Sequence, residues 1–475
     1  MSEPKPLVLD VDGTFLRTDM LYESFWAGLG TDPIATIKSA FANLRSPNTL
    51  KADLFEIAPI RVDLLPVNPP VAELAKSARA EGRQVVLASA SDERLVQALA
   101  DHHGFDAAIG SNRDVNLKGK NKAAALVERY GEGGFDYAGD HASDRAIWDK
   151  ADGAIVVGDS GGAAKGLDAG KVTKVETDYR TMDLIKALRP HQWVKNVLLV
   201  LPMIAAHEFV FSTLLMVILG MAAFSAAASC IYLVNDLLDL EADRLHPKKC
   251  KRPFAAGTAT IKAGMLTCLA LGAIAVGIGA LLGPAFLGVV VLYMLLSLAY
   301  SLKLKRLRWV DIATLASLYT LRVVAGAAAS KVDASVYMLV FIFPIFITLG
   351  CVKRLTELTL ATNDERLPGR GYGRPDRPDL LNVSVLGMVG ALLILFLYSF
   401  SAQAQDLYPT QWLLWVALIP TAMWMYRMVR LGWHGKQDYD PIVFALKDKR
   451  GVGLLLITLS LMFYAAGLWQ EWFGF

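Results

Sequence analysis

From about Val197 to the end of this 475-residue chain, apolar runs of roughly 18 to 22 residues recur, the length of helix that crosses a bilayer's hydrocarbon core. Lipid offers no partners to backbone N–H and C=O groups, so such runs fold as helices that satisfy those groups internally. They are placed near 197–211, 213–234, 263–282, 284–302, 309–329, 335–352, 382–402, 411–428 and 452–472, which predicts an all-α polytopic membrane domain of about nine transmembrane helices. Residues up to about Lys174 read instead as a soluble mixed domain. The length and this shift in composition predict two domains, 1–178 and 179–475.

A net charge of +3 is too small on a chain this size to argue for nucleic acid. The cations cluster in the connections after the second, fourth, sixth and eighth apolar runs, whereas the opposite loops carry almost nothing beyond Lys331. That bias predicts a multi-pass protein of the inner (cytoplasmic) membrane, with these loops and the amino-terminal domain in the cytoplasm. The opening MSEPKPLVLDVDGT lacks a basic segment followed by an apolar stretch and a cleavage site, so no signal peptide is expected. Cys230, Cys250, Cys268 and Cys351 are scattered without metal or redox spacing and read as free thiols.

In the soluble part, PLVLDVDGT (6–14) is a short apolar run that ends in Asp10 and Asp12. A second run, 85–88, ends in Ser89, and a third, 135–138, leads to Asp140 and Asp144. Helical patterns lie between them, the signature of an open parallel α/β sheet with its site at the strand ends. Taken singly, these aspartates could cap turns or start helices.

As an ordered set, they resemble the four motifs of the haloacid dehalogenase phosphatase superfamily across residues 1 to about 178. The resemblance implies an α/β Rossmann-like haloacid dehalogenase domain with a small helical cap, drawn from residues 16–65. It implies that Asp10 is the nucleophile and Asp12 the general acid and base, that Ser89 and Lys122 hold the phosphoryl group, and that Asp10, Asp140 and Asp144 gather around Mg2+. The chemistry agrees, because a carboxylate approaching a phosphate dianion needs a cation and donors to offset the repulsion.

In the membrane part, NDLLDLEADRLHPKKCKRP (235–253) crowds carboxylates and cations at a helix end. Asp236, Asp239 and Asp243 are spaced by three and four residues and share one helical face, and Asn235 adds a neutral oxygen. Such a set suits magnesium with a diphosphate, and Lys248, Lys249, Lys251 and Arg252 follow to complete the pocket.

This pattern resembles the UbiA superfamily of intramembrane prenyltransferases over roughly 184–472. Within it, RPHQWVKN (189–196), the segment 232–257, AYSLKLK (299–305), Arg322 and KRLTEL (353–358) are similar to the polyprenyl-phosphate phosphoribosyltransferase branch. Aromatic prenyltransferases carry a second aspartate-rich motif after the sixth helix; here that loop begins CVKRLTEL. Tyr300, Lys305, Lys353 and Arg354 stand there instead, with Asp311 a possible extra ligand. The resemblance implies 5-phosphoribosyl diphosphate as donor and a polyprenyl phosphate as acceptor, with Mg2+ on Asn235, Asp236, Asp239 and Asp243. Asp236, Asp239 and Lys305 would act in catalysis, and Arg189, Lys195, Asn196, Lys249, Arg252, Tyr300, Arg322, Lys353 and Arg354 in substrate binding. The fused phosphatase would then remove the ribose 5-phosphate. The competing expectations are an aromatic polyprenyltransferase, which shares the first aspartate motif, and a transporter with a regulatory phosphatase-like domain, which would place charge near helix midpoints.

Overall fold

The computed structural model describes residues 4–159, 162, 164–177, 181–332, 335–361, 364–367, 370–437 and 440–474; the expected domain boundary at 178/179 lies outside the described residues. The chain divides into two compact units, Met1–Leu188 with Tyr232–Cys268, and Arg189–Ile231 with Leu269–Phe475.

The first unit is built on a six-stranded parallel sheet: β1 (Leu7–Leu9), β2 (Val85–Asp92), β3 (Ala107–Ser111), β4 (Asp136–Gly139), β5 (Gly153–Val157) and β6 (Val172–Val175), in the order β3-β2-β1-β4-β5-β6. Leu7, Val8 and Leu9 are buried on both faces of the sheet, as a continuous apolar run without alternation requires. Leu7 and Leu9 pack with Val85, Leu87 and Leu99 on one side, while Val8 packs with Val86, Tyr137 and Trp148 on the other. The chain winds outward from β1 to β3, then resumes at β4 on the other side of β1. The crevice at the carboxyl ends of β1 and β4 is therefore the topological switch point where such sheets bind ligands.

Over residues 16–65 the chain forms three α-helices, α1 (Met20–Thr31), α2 (Pro33–Ala42) and α3 (Pro47–Ile57), which make up the expected helical cap, and a fourth, Pro69–Ala80, follows before β2. Asp19 caps α1 by accepting from Leu21 N, and Asp32 caps α2, whose first residue is Pro33.

Seven helices among the described residues are long and apolar enough to cross a membrane: Phe211–Leu238, Ile261–Leu282, Pro284–Leu302, Arg308–Ser330, Val336–Thr359, Arg374–Tyr398 and Trp412–Trp433. The protein is a multi-pass membrane protein, but two of the nine expected spans are shorter than the length argument assumed. The 197–211 run falls on a 3-10 coil, Pro190–Val200, and a five-residue helix, Leu201–Ala205; His207 beyond it takes a left-handed φ of 58°. The last run is a 17-residue helix, Lys449–Ala465, followed by Gly467 at φ 76° and a separate short helix. Positive φ at these positions breaks the helical course, which a hydropathy count cannot register.

Within the second unit, Gly326 lets the Arg308–Ser330 helix approach the 190–200 coil. A Cβ there would lie 2.1 Å from the Leu199 carbonyl oxygen. That close packing sets Asn196 beside Arg322, one turn away from Gly326.

Candidate active sites

At the switch point, Asp10, Asp140 and Asp144 each offer an oxygen within 4.8 Å of the others. Asp10 Oδ1 accepts from Val11 N at 2.8 Å and from the buried Lys122 ammonium at 2.8 Å. Lys122 also reaches Tyr137 Oη at 3.0 Å. Asp144 Oδ2 accepts from His141 N, and Asp140 Oδ1 accepts from Thr14 Oγ1 at 3.2 Å. Gly13, at φ 79°, passes so close that a Cβ would sit 2.3 Å from Asp140 Oδ2.

Burial, only partly offset by Lys122 and aggravated by Asp144, pushes the Asp10 carboxyl up to about 7. Burial with repulsion from Asp10 and Asp144 lifts Asp140 to about 7 as well. Three carboxylates pressed together at this cost fit a divalent cation, which would favour their charged forms.

Asp12 faces the other way. Its Oδ1 accepts from Met20 N at 2.8 Å, and its Oδ2 accepts from Ser89 Oγ at 3.0 Å and Ser91 Oγ at 2.8 Å. Lys51, from cap helix α3, donates to the Ala90 carbonyl at 2.5 Å, and its neighbours include Asp12 and Asp19. All six residues expected in this domain therefore surround one crevice. Sequence reasoning missed Ser91, Tyr137 and Lys51. Ser91 lies two residues beyond Ser89 on the same strand face and was open to detection; nothing marks a lysine in a cap helix.

The aspartate motif of residues 235–243 also lies in the first unit. Asn235 and Asp236 end the Phe211–Leu238 helix, and Asp239 and Asp243 follow it, with Asp243 N donating to Asp239 O at 2.7 Å. Arg252 Nη1 bridges Asp243 Oδ2 at 2.7 Å and Asp236 Oδ1 at 3.1 Å. Lys249 Nζ stands 3.9 Å from Asp243 Oδ1. Buried Asn235 Oδ1 and Asp243 Oδ1 have no hydrogen-bond partner. Unsatisfied buried acceptors are rare, and a cation is one remedy. Arg252 supplies the positive charge between Asp236 and Asp243, and among the described residues these carboxylates are not gathered as closely as those of Asp10, Asp140 and Asp144.

The next residue, Arg244, turns away from this cluster. Its guanidinium meets Glu23 of α1 at 2.5 and 3.1 Å and donates to Ala255 O. Thr18 Oγ1 donates to the same carboxylate at 2.6 Å.

In the second unit, Arg354 is fully buried and wholly committed. It donates to Asp311 at 2.5 and 2.9 Å, to Glu357 at 2.5 Å and to Tyr300 Oη at 2.9 Å. Arg370 joins from the following loop, 3.1 Å from Tyr300 Oη. Asp311, expected as a possible extra metal ligand, is thus the counter-ion of Arg354. Lys305 lies in the turn before the Arg308–Ser330 helix, and Lys353 immediately precedes Arg354.

A second polar knot joins Lys195 to Asp440, the cap of the Pro441–Lys447 helix. Arg322 donates to Asn196 Oδ1 at 3.1 Å and Tyr293 Oη at 2.9 Å, and Trp193 Nε1 donates to Ser229 at 2.9 Å. Arg189 begins the same coil with a left-handed φ of 54°. Asp440, Glu357 and Arg370 carry no signal in isolation, because each acts as the partner of a residue distant in sequence.

Comparison with known proteins adds to this geometry. The model of the UbiA prenyltransferase family matches residues 197–447. A Sinorhizobium fredii protein, y4nM, is 33% identical over 96% of this chain and 90% of its own. The decaprenyl-phosphate phosphoribosyltransferase of Mycobacterium tuberculosis is 32% identical over 56% of this chain and 88% of its own. A HAD-family hydrolase from Salmonella enterica serovar Typhi superposes with a TM-score of 0.27 at 17% identity, over 36% of this chain and 68% of its own.

Proposed function

The chain belongs to the UbiA prenyltransferase family, and on that premise we propose that it transfers 5-phosphoribose from 5-phosphoribosyl diphosphate to a polyprenyl phosphate, after which its amino-terminal domain removes the 5-phosphate. The reading divides the chain into a phosphatase domain, 1–178, and a transferase domain, 179–475, in the inner (cytoplasmic) membrane with the phosphatase on the cytoplasmic side. The basic connections between spans support that orientation.

The observation that carries the transferase half is the aspartate motif with its two orphaned buried acceptors, Asn235 Oδ1 and Asp243 Oδ1, beside Arg252 and Lys249. Asn235, Asp236, Asp239 and Asp243 would hold magnesium, which when bound neutralises charge on the departing diphosphate. Arg252 and Lys249 bind the diphosphate oxygens. The acceptor's phosphate oxygen forms the new bond to the anomeric carbon as the bond to diphosphate breaks. By the resemblance of their motifs, Lys305 and Lys353 would offset phosphate charge, and Arg189, Lys195, Asn196 and Arg322 would bind substrate. Tyr300 is aimed by Arg354 and Arg370, so Arg354 positions rather than grips.

In the phosphatase half, Asp10 Oδ1 is fixed by Lys122 and Val11 N, which leaves Oδ2 to attack phosphorus. Lys122 and Ser89 hold the transferring oxygens, and Asp12 gives its proton to the departing ribose oxygen. Asp12 then takes a proton from the water that cleaves the aspartyl phosphate. Asp10, Asp140 and Asp144 would hold a magnesium ion here.

The test is transfer of label from [14C]-5-phosphoribosyl diphosphate to decaprenyl phosphate by the purified protein in magnesium. Lipid-soluble counts are expected, lowered about 100-fold or more by Asp236→Asn. Label that stays in the aqueous phase with decaprenyl phosphate, while an aromatic acceptor is prenylated from a polyprenyl diphosphate, would overturn the reading.

A further inference from the structure

Cap helix α2 is built inside out. Thr36, Ser39 and Asn43 share its inward side: Thr36 is buried, and Ser39 Oγ and Asn43 Nδ2 both donate to Asp53 Oδ2 of α3 at 2.9 Å. At 100° per residue, Ile34, Ile37 and Phe41 fall within roughly 60° of one another on the opposite side, and Leu44 continues the stripe in the turn beyond. These four side chains are 81, 46, 73 and 71% exposed. A helix of a water-soluble domain normally buries its apolar stripe and wets its polar one. Here the polar stripe is hydrogen-bonded inward and the apolar one faces out.

We propose that the outward face of α2 docks on the membrane, with Ile34, Ile37, Phe41 and Leu44 seated at the boundary between headgroups and acyl chains. Three observations select a bilayer. The polypeptide continues into seven membrane-crossing helices, so lipid is present at high effective concentration on any surface the cap can reach. Lys38 and Arg45 are exposed and flank one edge of the stripe, where long cationic side chains reach anionic headgroups while their stems cover apolar surface. Four side chains fall far short of the roughly 20–30 residues per side that a stable protein dimer uses, but suffice for a helix already tethered.

The consequence concerns substrate choice. α3, on which α2 packs, carries Lys51 to the pocket, so a cap resting on headgroups holds that wall of the site close to phosphoesters presented at the lipid surface. That consequence rests on the proposed lipid-linked substrate; the docking itself does not.

The test replaces Phe41, and separately the exposed Lys76 as a control, with the photo-crosslinker p-benzoylphenylalanine in the full chain. The protein is reconstituted in vesicles of phosphatidylglycerol and phosphatidylcholine, illuminated and analysed by mass spectrometry. Lipid adducts at position 41 and none at 76 are expected, with adduct yield at 41 falling at least fivefold in phosphatidylcholine alone or with Lys38→Glu and Arg45→Glu. Equal adducts at the two positions, no adduct at either, or a cross-linked dimer through position 41 would each overturn the proposal. None of these readouts depends on which reaction the protein catalyses.

Discussion

The Glu23 carboxylate of cap helix α1 and the Arg244 guanidinium, one residue past the aspartate motif, form a two-bond ion pair in which both side chains are less than a tenth exposed. Glycine at 257 completes the joint, since a Cβ there would meet Arg17 Cβ at 2.6 Å. Removing one partner strands a buried charge, so Arg244→Ala is expected to lower the stability of this region by about 3–5 kcal/mol. Replacing both, Glu23→Leu with Arg244→Met, should restore most of it. Hydrogen exchange over residues 236–257 reads both outcomes; equal exchange in wild type and Arg244→Ala would contradict the assignment.

A pH dependence follows from the crowded carboxyls. Asp10, Asp19 and Asp140 are each raised to about 7 by burial and by neighbouring carboxylates. A carboxyl with a raised folded-state value binds its proton more tightly folded than unfolded. Stability is therefore fully present below the unfolded value of about 4 and declines as pH rises toward 7. Metal-free protein should show lower protection factors, that is, exchange corrected for the base-catalysed intrinsic rate, in β1 and β4 at pH 7.5 than at pH 5, and magnesium should raise them mainly at the higher pH. Higher protection at pH 7.5 without metal would contradict this.

Gly13→Ala tests the cation site without touching a ligand. The added methyl would stand 2.3 Å from Asp140 Oδ2 at a backbone φ of 79°, so Asp140 must move. Calorimetry should show magnesium affinity reduced about tenfold or more at the site of Asp10, Asp140 and Asp144. An unchanged affinity would remove Asp140 from the ligand set.

The site at the strand ends was almost fully legible because strand ends carry their residues to the switch point whatever the cap does. Asp10, Asp12, Ser89, Lys122, Asp140 and Asp144 each sit at, or just after, an element that periodicity places. Lys51 was not legible, since it depends on how α3 folds back, whereas Ser91, two residues past Ser89 and on the same Asp12 oxygen, was legible and went unread. In the membrane part, apolar length located seven helices, but nothing in hydropathy shows that Pro190–Val200 coils as a 3-10 segment or that Gly467 ends the last helix. Charge pairing was the least legible property. Arg354 and Asp311 read separately as a phosphate binder and a metal ligand, yet each satisfies the other at 2.5 Å, because no single sequence position announces its partner across two helices.

That pairing distinguishes two adjacent cations. Arg354→Met should destabilise the protein by about 3–5 kcal/mol by taking the nearest cation from buried Asp311 and leaving it with Arg370 at 3.4 Å, lowering expression of folded protein. Lys353→Ala should cost less stability, because Glu357 and Asp440, the carboxylates it faces, keep Arg354 and Lys195 as partners, and should chiefly raise the KM for the phosphorylated substrate. The reverse pattern would exchange their roles.

The central claim, transfer followed by dephosphorylation within one chain, is tested most directly by the mass of the lipid product. Wild type and Asp10→Asn are incubated side by side with magnesium, 5-phosphoribosyl diphosphate and decaprenyl phosphate. The account predicts a phosphoribosyl lipid that retains its 5-phosphate in Asp10→Asn and has lost one phosphate in wild type. A 5-phosphate retained by both proteins would contradict the coupling and leave the transferase alone, and no ribosylated lipid from either would contradict the account as a whole.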